Sequence, residues 1–145
     1  MVIAATRRPK RVLETSHPPN YYIPADDTAL DYLHPTSRQT ICEWKGVCRH
    51  YGVVVSDKDV TYAAWQYFAP TPDFIRIQDY YSFYVRPIDA CYVNDELVTP
   101  QASNIYGGWI TSNIVGPFKG GPGTMGWEYG LISKAYFTVK SIRSK

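Results

Sequence analysis

The run Thr-Ile-Cys-Glu-Trp-Lys-Gly-Val-Cys-Arg-His-Tyr, residues 40–51, gathers two cysteines, a glutamate, a lysine and a histidine in one short stretch. Metal coordination, nucleophilic catalysis and ligand binding are the chemistries open to it. In one straight strand Cys42 and Cys48 would share a face but lie about 20 Å apart, at roughly 3.3 Å per residue. Only a reversal at Lys45-Gly46 would bring them together, and even then the spacing is not the C-x-x-C of a zinc knuckle or a redox couple. No metal and no cofactor are expected. Cys42 would act as a nucleophile only if a base such as His17 or His50 reached it and lowered its pKa; its default role is a small buried hydrophobe. Lys45 reads as a desolvated amine, as an anchor for phosphate or carboxylate, or as a lysine whose stem lies along aromatic rings while its head stays wet. Glu43 is expected to form a salt link with a basic group such as Arg49 or Arg86.

Aromatic side chains surround these groups in the sequence. Thirteen tyrosines, five phenylalanines and four tryptophans make the aromatic content 15%, and each Tyr or Trp carries apolar area plus a polar tip that wants a partner. Most belong to a core. A subset is expected to wall an apolar pocket with a few convergent polar groups, the usual build of a small-molecule site. The candidate ligand-binding residues are Glu43, Trp44, Lys45, Trp65, Tyr67, Tyr84 and His17, placed beside the Cys42–Gly46 turn; catalytic residues stay unassigned. The glycine-rich run Phe118–Trp127 lacks the order of a phosphate loop, because its lysine precedes the glycines and Pro122 removes a donor. It reads as a structural loop.

The elements that must position these residues are mostly strands. Short runs of Val, Ile, Thr, Tyr and Phe are punctuated by Pro, Gly, Asn and Asp. The best helical turn is Asp26–Leu33, with His34-Pro35 closing it. From Thr40 to Tyr67 the pattern is strand, turn, strand, with Ser56-Asp57-Lys58-Asp59 as the tip. A second hairpin is expected around Asn94-Asp95, and the tail Leu131–Val139 reads as a last strand or a helical piece.

At 145 residues the chain is the size of a single domain, 1–145. Fifteen basic against thirteen acidic residues leave a net charge of +2, far from the balance of a domain that neutralises many phosphates. Nucleic acid is therefore not an expected partner. Three cysteines are an odd, sparse set better read as reduced thiols. With no run of about 18 apolar residues and no signal-peptide core, the reading is a soluble, cytoplasmic protein with no membrane partner.

Several stretches together carry a resemblance: Arg11-Val12-Leu13-Glu14-Thr15-Ser16-His17-Pro18-Pro19, Tyr21-Tyr22-Ile23-Pro24, Cys42-Glu43-Trp44-Lys45-Gly46, Ala64-Trp65-Gln66-Tyr67 and Phe83-Tyr84. In order and spacing they resemble the DUF427 family, also filed as a nucleotidyltransferase-like domain, in a longer variant found in cyanobacteria and fungi. The resemblance implies a small, mainly β domain of coiled antiparallel sheets, similar to the β-tent (Mss4-like) architecture. Zinc is not carried over, because this chain lacks the cysteine pairs. The transferase label would need a Gly-Ser or Gly-Gly turn followed by paired carboxylates that hold magnesium. Gly107-Gly108 is followed by Trp-Ile-Thr-Ser-Asn, and the label is discounted. Family members commonly begin with one more strand, so an open edge and a homodimer are expectations here. The family has no established function. The leading expectation is a domain that binds a small ligand, with an enzyme using Cys42 or Lys45, or an interaction module pairing through strand edges, as alternatives.

Overall fold

In a computed structural model, which describes residues 1–14, 16–102, 106–119 and 140–141, the chain is mainly β and antiparallel throughout. Two short strands, β1 (Lys10–Val12) and β2 (Asn20–Tyr22), precede three long ones, β3 (Leu33–Cys42), β4 (Gly46–Val55) and β5 (Lys58–Pro70). Strand β6 (Tyr81–Phe83) then joins them in a four-stranded sheet of order β3-β4-β5-β6. The pairs β7 (Tyr92–Val93) with β8 (Glu96–Leu97), and β9 (Thr99–Pro100) with β10 (Trp109–Ile110), make two small ribbons. Strand β11 (Lys140–Ser141) pairs with β1 and completes a three-stranded sheet of order β11-β1-β2. No barrel closes among the described residues.

Both expected hairpins form. Val55 pairs with Lys58, so the tip narrows to Ser56-Asp57, with Ser56 at φ 53°. Asn94 and Asp95 both take positive φ, 48° and 71°, the backbone that two-residue hairpin turns require and that Asn and Asp tolerate. The expected helix over Asp26–Leu33 is replaced by two single 3-10 turns, Ala25–Asp27 and Leu30–Tyr32. His34-Pro35 does not close a helix but lies inside β3. An edge strand accepts proline because its missing donor faces away from the ladder. The expected tail element at Leu131–Val139 and the part of the glycine-rich run beyond Lys119 lie outside the described residues.

Strand alternation divides the side chains of the large sheet between two faces. Register places Thr40 opposite Cys48, Cys48 opposite Tyr67, and His50 opposite Trp65, so these residues share one face. Tyr51, Gln66 and Tyr81 take the other, where the Tyr51 hydroxyl donates to Gln66 Oε1 at 2.8 Å. Against the first face pack Val12, Tyr22, Phe74 and Ile77; against the second pack Tyr21, Ile23, Val85 and Trp109. Burying each large apolar side chain stabilises the fold by about 1.5–3 kcal/mol. Neighbouring residues Tyr21 and Tyr22 serve opposite clusters, which is how one short strand ties both halves together. Among the described residues no helix is long and apolar enough to cross a membrane.

Candidate functional site

The chain does reverse beside the cysteines. Residues Glu43, Trp44 and Lys45 form the turn between β3 and β4, and Cys42 pairs with Gly46. Gly46 sits at φ 108°, and a Cβ there would press on the backbone of Ala69 and, at 2.8 Å, on Pro70 Cα; only glycine fits. The amide of Thr71 donates to the Lys45 carbonyl at 2.9 Å and its hydroxyl donates to the Trp44 carbonyl, which locks the turn to the end of β5. So held, the turn sends its side chains in different directions. Glu43 and Trp44 are exposed, whereas Lys45 is buried.

Lys45 Nζ lies 2.9 Å from Glu14 Oε1 and 5.5 Å from the centre of the Tyr67 ring. Burial works against its charge, but Tyr22, Tyr67, Glu14 and Cys42 around it hold the proton, and its pKa stands well above 10.5. At neutral pH the two phenols are protonated, so the charge that Lys45 pairs with is the Glu14 carboxylate. Glu14 in turn is lowered from 4.5: burial pushes it up, and Lys45 with His17 and Lys119 more than offsets that. Burial pushes Tyr22 up to about 12 and Tyr67 higher still. A protonated, paired lysine is the opposite of the free amine that a lysine nucleophile needs.

His17 joins this interior through its charge environment. Its Nδ1 donates to the Pro18 carbonyl at 2.6 Å, which leaves Nε2 as the unprotonated nitrogen of a neutral ring. Burial is the main cause of its lowered pKa, with Glu14 opposing and Lys45 and Lys119 reinforcing the shift. The histidine contact that a nucleophilic Cys42 would require falls instead on another cysteine: His50 Nε2 is 3.7 Å from Cys48 Sγ, and Thr40 Oγ1 lies 2.9 Å from both atoms. Strand register explains it, since residues 40, 48 and 50 share a face. Cys42, Cys48 and Cys91 are all free thiols. Among the described residues no group of three or more His, Cys, Asp or Glu could hold a metal ion.

On the far side of the aromatic cluster is a cleft of about 330 Å³, bounded by Arg38, Tyr62, Tyr84, Arg86, Gln101 and Tyr106 and completed by Gly107 and neighbouring prolines. Two of its rings also touch the interior. Tyr84 packs against Trp65 at 4.6 Å between ring centres, and Trp65 Nε1 donates to the Tyr22 hydroxyl at 3.2 Å. Tyr106 stands edge-on to His17 at 5.3 Å and beneath Lys119 Nζ at 5.9 Å. Gly107 lets the chain approach here, because a Cβ would meet the Tyr84 ring at 2.7 Å and the Trp65 ring at 3.1 Å. Buried Gln101 braces the floor by donating to the Lys119 carbonyl at 2.7 Å and accepting from the Gly108 amide at 3.0 Å.

The structure therefore brings together Lys45, Tyr67, Trp65, Tyr84 and His17, and leaves Glu43 and Trp44 at the surface. Glu43 makes no ion pair among the described residues; Arg49 lies over Phe68 at 4.8 Å, and Arg86 donates to the Gln101 carbonyl at 3.2 Å. Sequence reasoning did not assign Glu14, Lys119, Arg38, Gln101 or Tyr62 to the site. Glu14 and Lys119 each sit in stretches that stand out by composition, yet nothing local reveals that the turn before β4, 31 residues on, brings Lys45 to Glu14, or that Tyr106 lies beneath Lys119.

A family model described as a domain of unknown function, DUF427, matches residues 1–94. No curated protein matches the chain. The matched span holds β1 through β7 and both sides of the Glu14–Lys45 pair. The chain belongs to the DUF427 family.

Proposed function

We propose that this DUF427 domain binds a small, partly polar molecule in the cleft walled by Tyr62, Tyr84 and Tyr106. One observation carries the reading: aromatic and polar groups converge on a concavity whose volume, about 330 Å³, falls within the range of about 300–1,000 Å³ usual for small-molecule sites. The ligand sits on the outer side of Tyr84. The Lys45 interior, on the inner side, sets the position of that ring through Trp65 and Tyr22 and does not itself contact the ligand. Fluorescence titration with N-phenyl-1-naphthylamine, a neutral probe that joins a naphthalene to a phenyl ring, tests this. Saturable one-to-one binding that weakens at least fivefold in Tyr62→Ala supports the site; unsaturable binding, or binding indifferent to Tyr62→Ala and Tyr106→Ala, sinks it.

A second reading rests on β3. It is an edge of the large sheet, and Ile41 at 79% exposed and Trp44 at 46% lie near its end. Open edges with apolar side chains favour pairing with another chain, so β3 is the surface for a homodimer. Light scattering at low micromolar concentration gives a dimer mass that Ile41→Lys returns to monomer if this holds, and a monomer mass throughout if it does not.

A further inference from the structure

Charge in the cleft is one-sided. Arg38 and Arg86 both border it, and no carboxylate does among the described lining residues. Each guanidinium is oriented by a neutral partner: Arg38 lies 5.0 Å from the centre of the Tyr62 ring, and Arg86 donates to the Gln101 carbonyl at 3.2 Å. Neither contact neutralises a charge, and a guanidinium has five N–H donors to offer. The positive field continues behind the wall, where among the described residues Glu14 is the counter-charge to Lys45 and Lys119 beside a neutral His17. Arg38 borders the cleft beside Tyr84, and both Arg38 and Lys45 act electrostatically on the Tyr84 hydroxyl, whose pKa burial raises. A chain with a net charge of only +2 thus concentrates uncompensated positive charge at one aromatic concavity.

Building on the ligand-binding reading above, we infer that the ligand is a small aromatic or heteroaromatic oxyacid, its ring against Tyr62 and Tyr84 and its carboxylate, phosphate or sulfonate held by Arg38 and Arg86. The guanidinium fork matches the geometry of an oxyanion and makes charge-assisted hydrogen bonds that a neutral ligand cannot. Tyrosine faces supply the stacking surface for a planar ring. A cleft of about 330 Å³ has room for a ring system of no more than about three small rings.

Two probes of one skeleton separate the charge from the ring: 8-anilinonaphthalene-1-sulfonate, and N-phenyl-1-naphthylamine, which lacks the sulfonate. The sulfonate probe is expected to bind wild-type protein about tenfold or more tightly than the neutral one, a difference of roughly 1.4 kcal/mol. Arg38→Gln and Arg86→Gln should each weaken it about tenfold and change the neutral probe less than twofold. Raising salt from 0.05 to about 0.5 M should weaken only the sulfonate probe. Both arginines are exposed, and a thermal melt confirms that the variants stay folded; the salt titration on wild-type protein needs no variant. Equal binding of the two probes, insensitive to arginine and salt, overturns the oxyacid inference while the cleft reading stands. Absence of saturable binding for both overturns the two together.

Discussion

The chain carries two aromatic, positively charged regions that share a wall and behave oppositely. Inside the Glu43–Lys45 hairpin, Lys45 is buried, faces Glu14 at 2.9 Å and is packed on Tyr67. In the cleft, Arg38 and Arg86 are exposed and, among the described residues, meet a ring and a carbonyl rather than a carboxylate. The first region satisfies itself; the second offers its charge to something else. Similar residue types thus divide into a structural cluster and a binding surface according to whether a counter-charge came with them. A buried charge must be paired, because leaving one ion alone in the interior costs several kcal/mol, whereas an exposed guanidinium remains solvated and is free to exchange water for a ligand.

The comparison breaks most sharply at Lys45. Lys45→Met strands the Glu14 carboxylate and should lower the unfolding free energy by about 3–5 kcal/mol, while Arg38→Gln should change it by less than about 0.5 kcal/mol. Lys45→Met with Glu14→Leu, which removes both charges, should recover most of the loss. Urea denaturation of the four proteins measures all three statements, and a Lys45→Met protein as stable as Arg38→Gln would erase the distinction between the regions.

A smaller effect is expected at Gln101, the brace between them. Gln101→Leu leaves the Gly108 amide and the Lys119 carbonyl without their partner and should cost about 2–3 kcal/mol. It should also weaken probe binding, because Gln101 holds the Gly108 amide, next to Gly107 and Tyr106 of the cleft. Unchanged probe affinity in a destabilised Gln101→Leu protein would show that the cleft keeps its shape without the brace.

The smallest effect is the pH dependence of stability. Glu14 is depressed in the folded chain, so its contribution is present above pH 4.5 and is lost as pH falls through its folded pKa. Lys45 is raised, so its contribution is present below pH 10.5 and is lost as pH rises toward its folded pKa. Tyr22, raised to about 12 from 10.0, adds to the alkaline limb in the same direction. Wild-type stability should therefore hold between about pH 5 and 10 and fall on either side. In Lys45→Met the acid limb should flatten and the alkaline limb become shallower; Arg38→Gln should keep both limbs.

Some of the molecule could be read without coordinates because its causes are local. The strand runs, the Ser56-Asp57 and Asn94-Asp95 tips, and the reversal that Gly46 permits all follow from residue types a few positions apart. The Asp26–Leu33 stretch went the other way: acidic residues suited a helix start, but each segment stops after one 3-10 turn, and His34-Pro35 enters an edge strand that tolerates proline. At the site, the grouping of Lys45, Trp65, Tyr67, Tyr84 and His17 was legible from composition, and the outward pointing of Glu43 and Trp44 was not.

By itself, then, the sequence determined a mainly β chain of the DUF427 family, its hairpins, and an aromatic neighbourhood around a lysine. Tertiary structure alone decided that Lys45 is spent on Glu14, that His50 meets Cys48 rather than Cys42, and that Arg38 and Arg86 share a cleft with three tyrosines. The physical reason is one of range. Backbone preference is fixed by neighbours in the chain, whereas the fate of a charge depends on which distant strand brings it a partner and how much water remains between them.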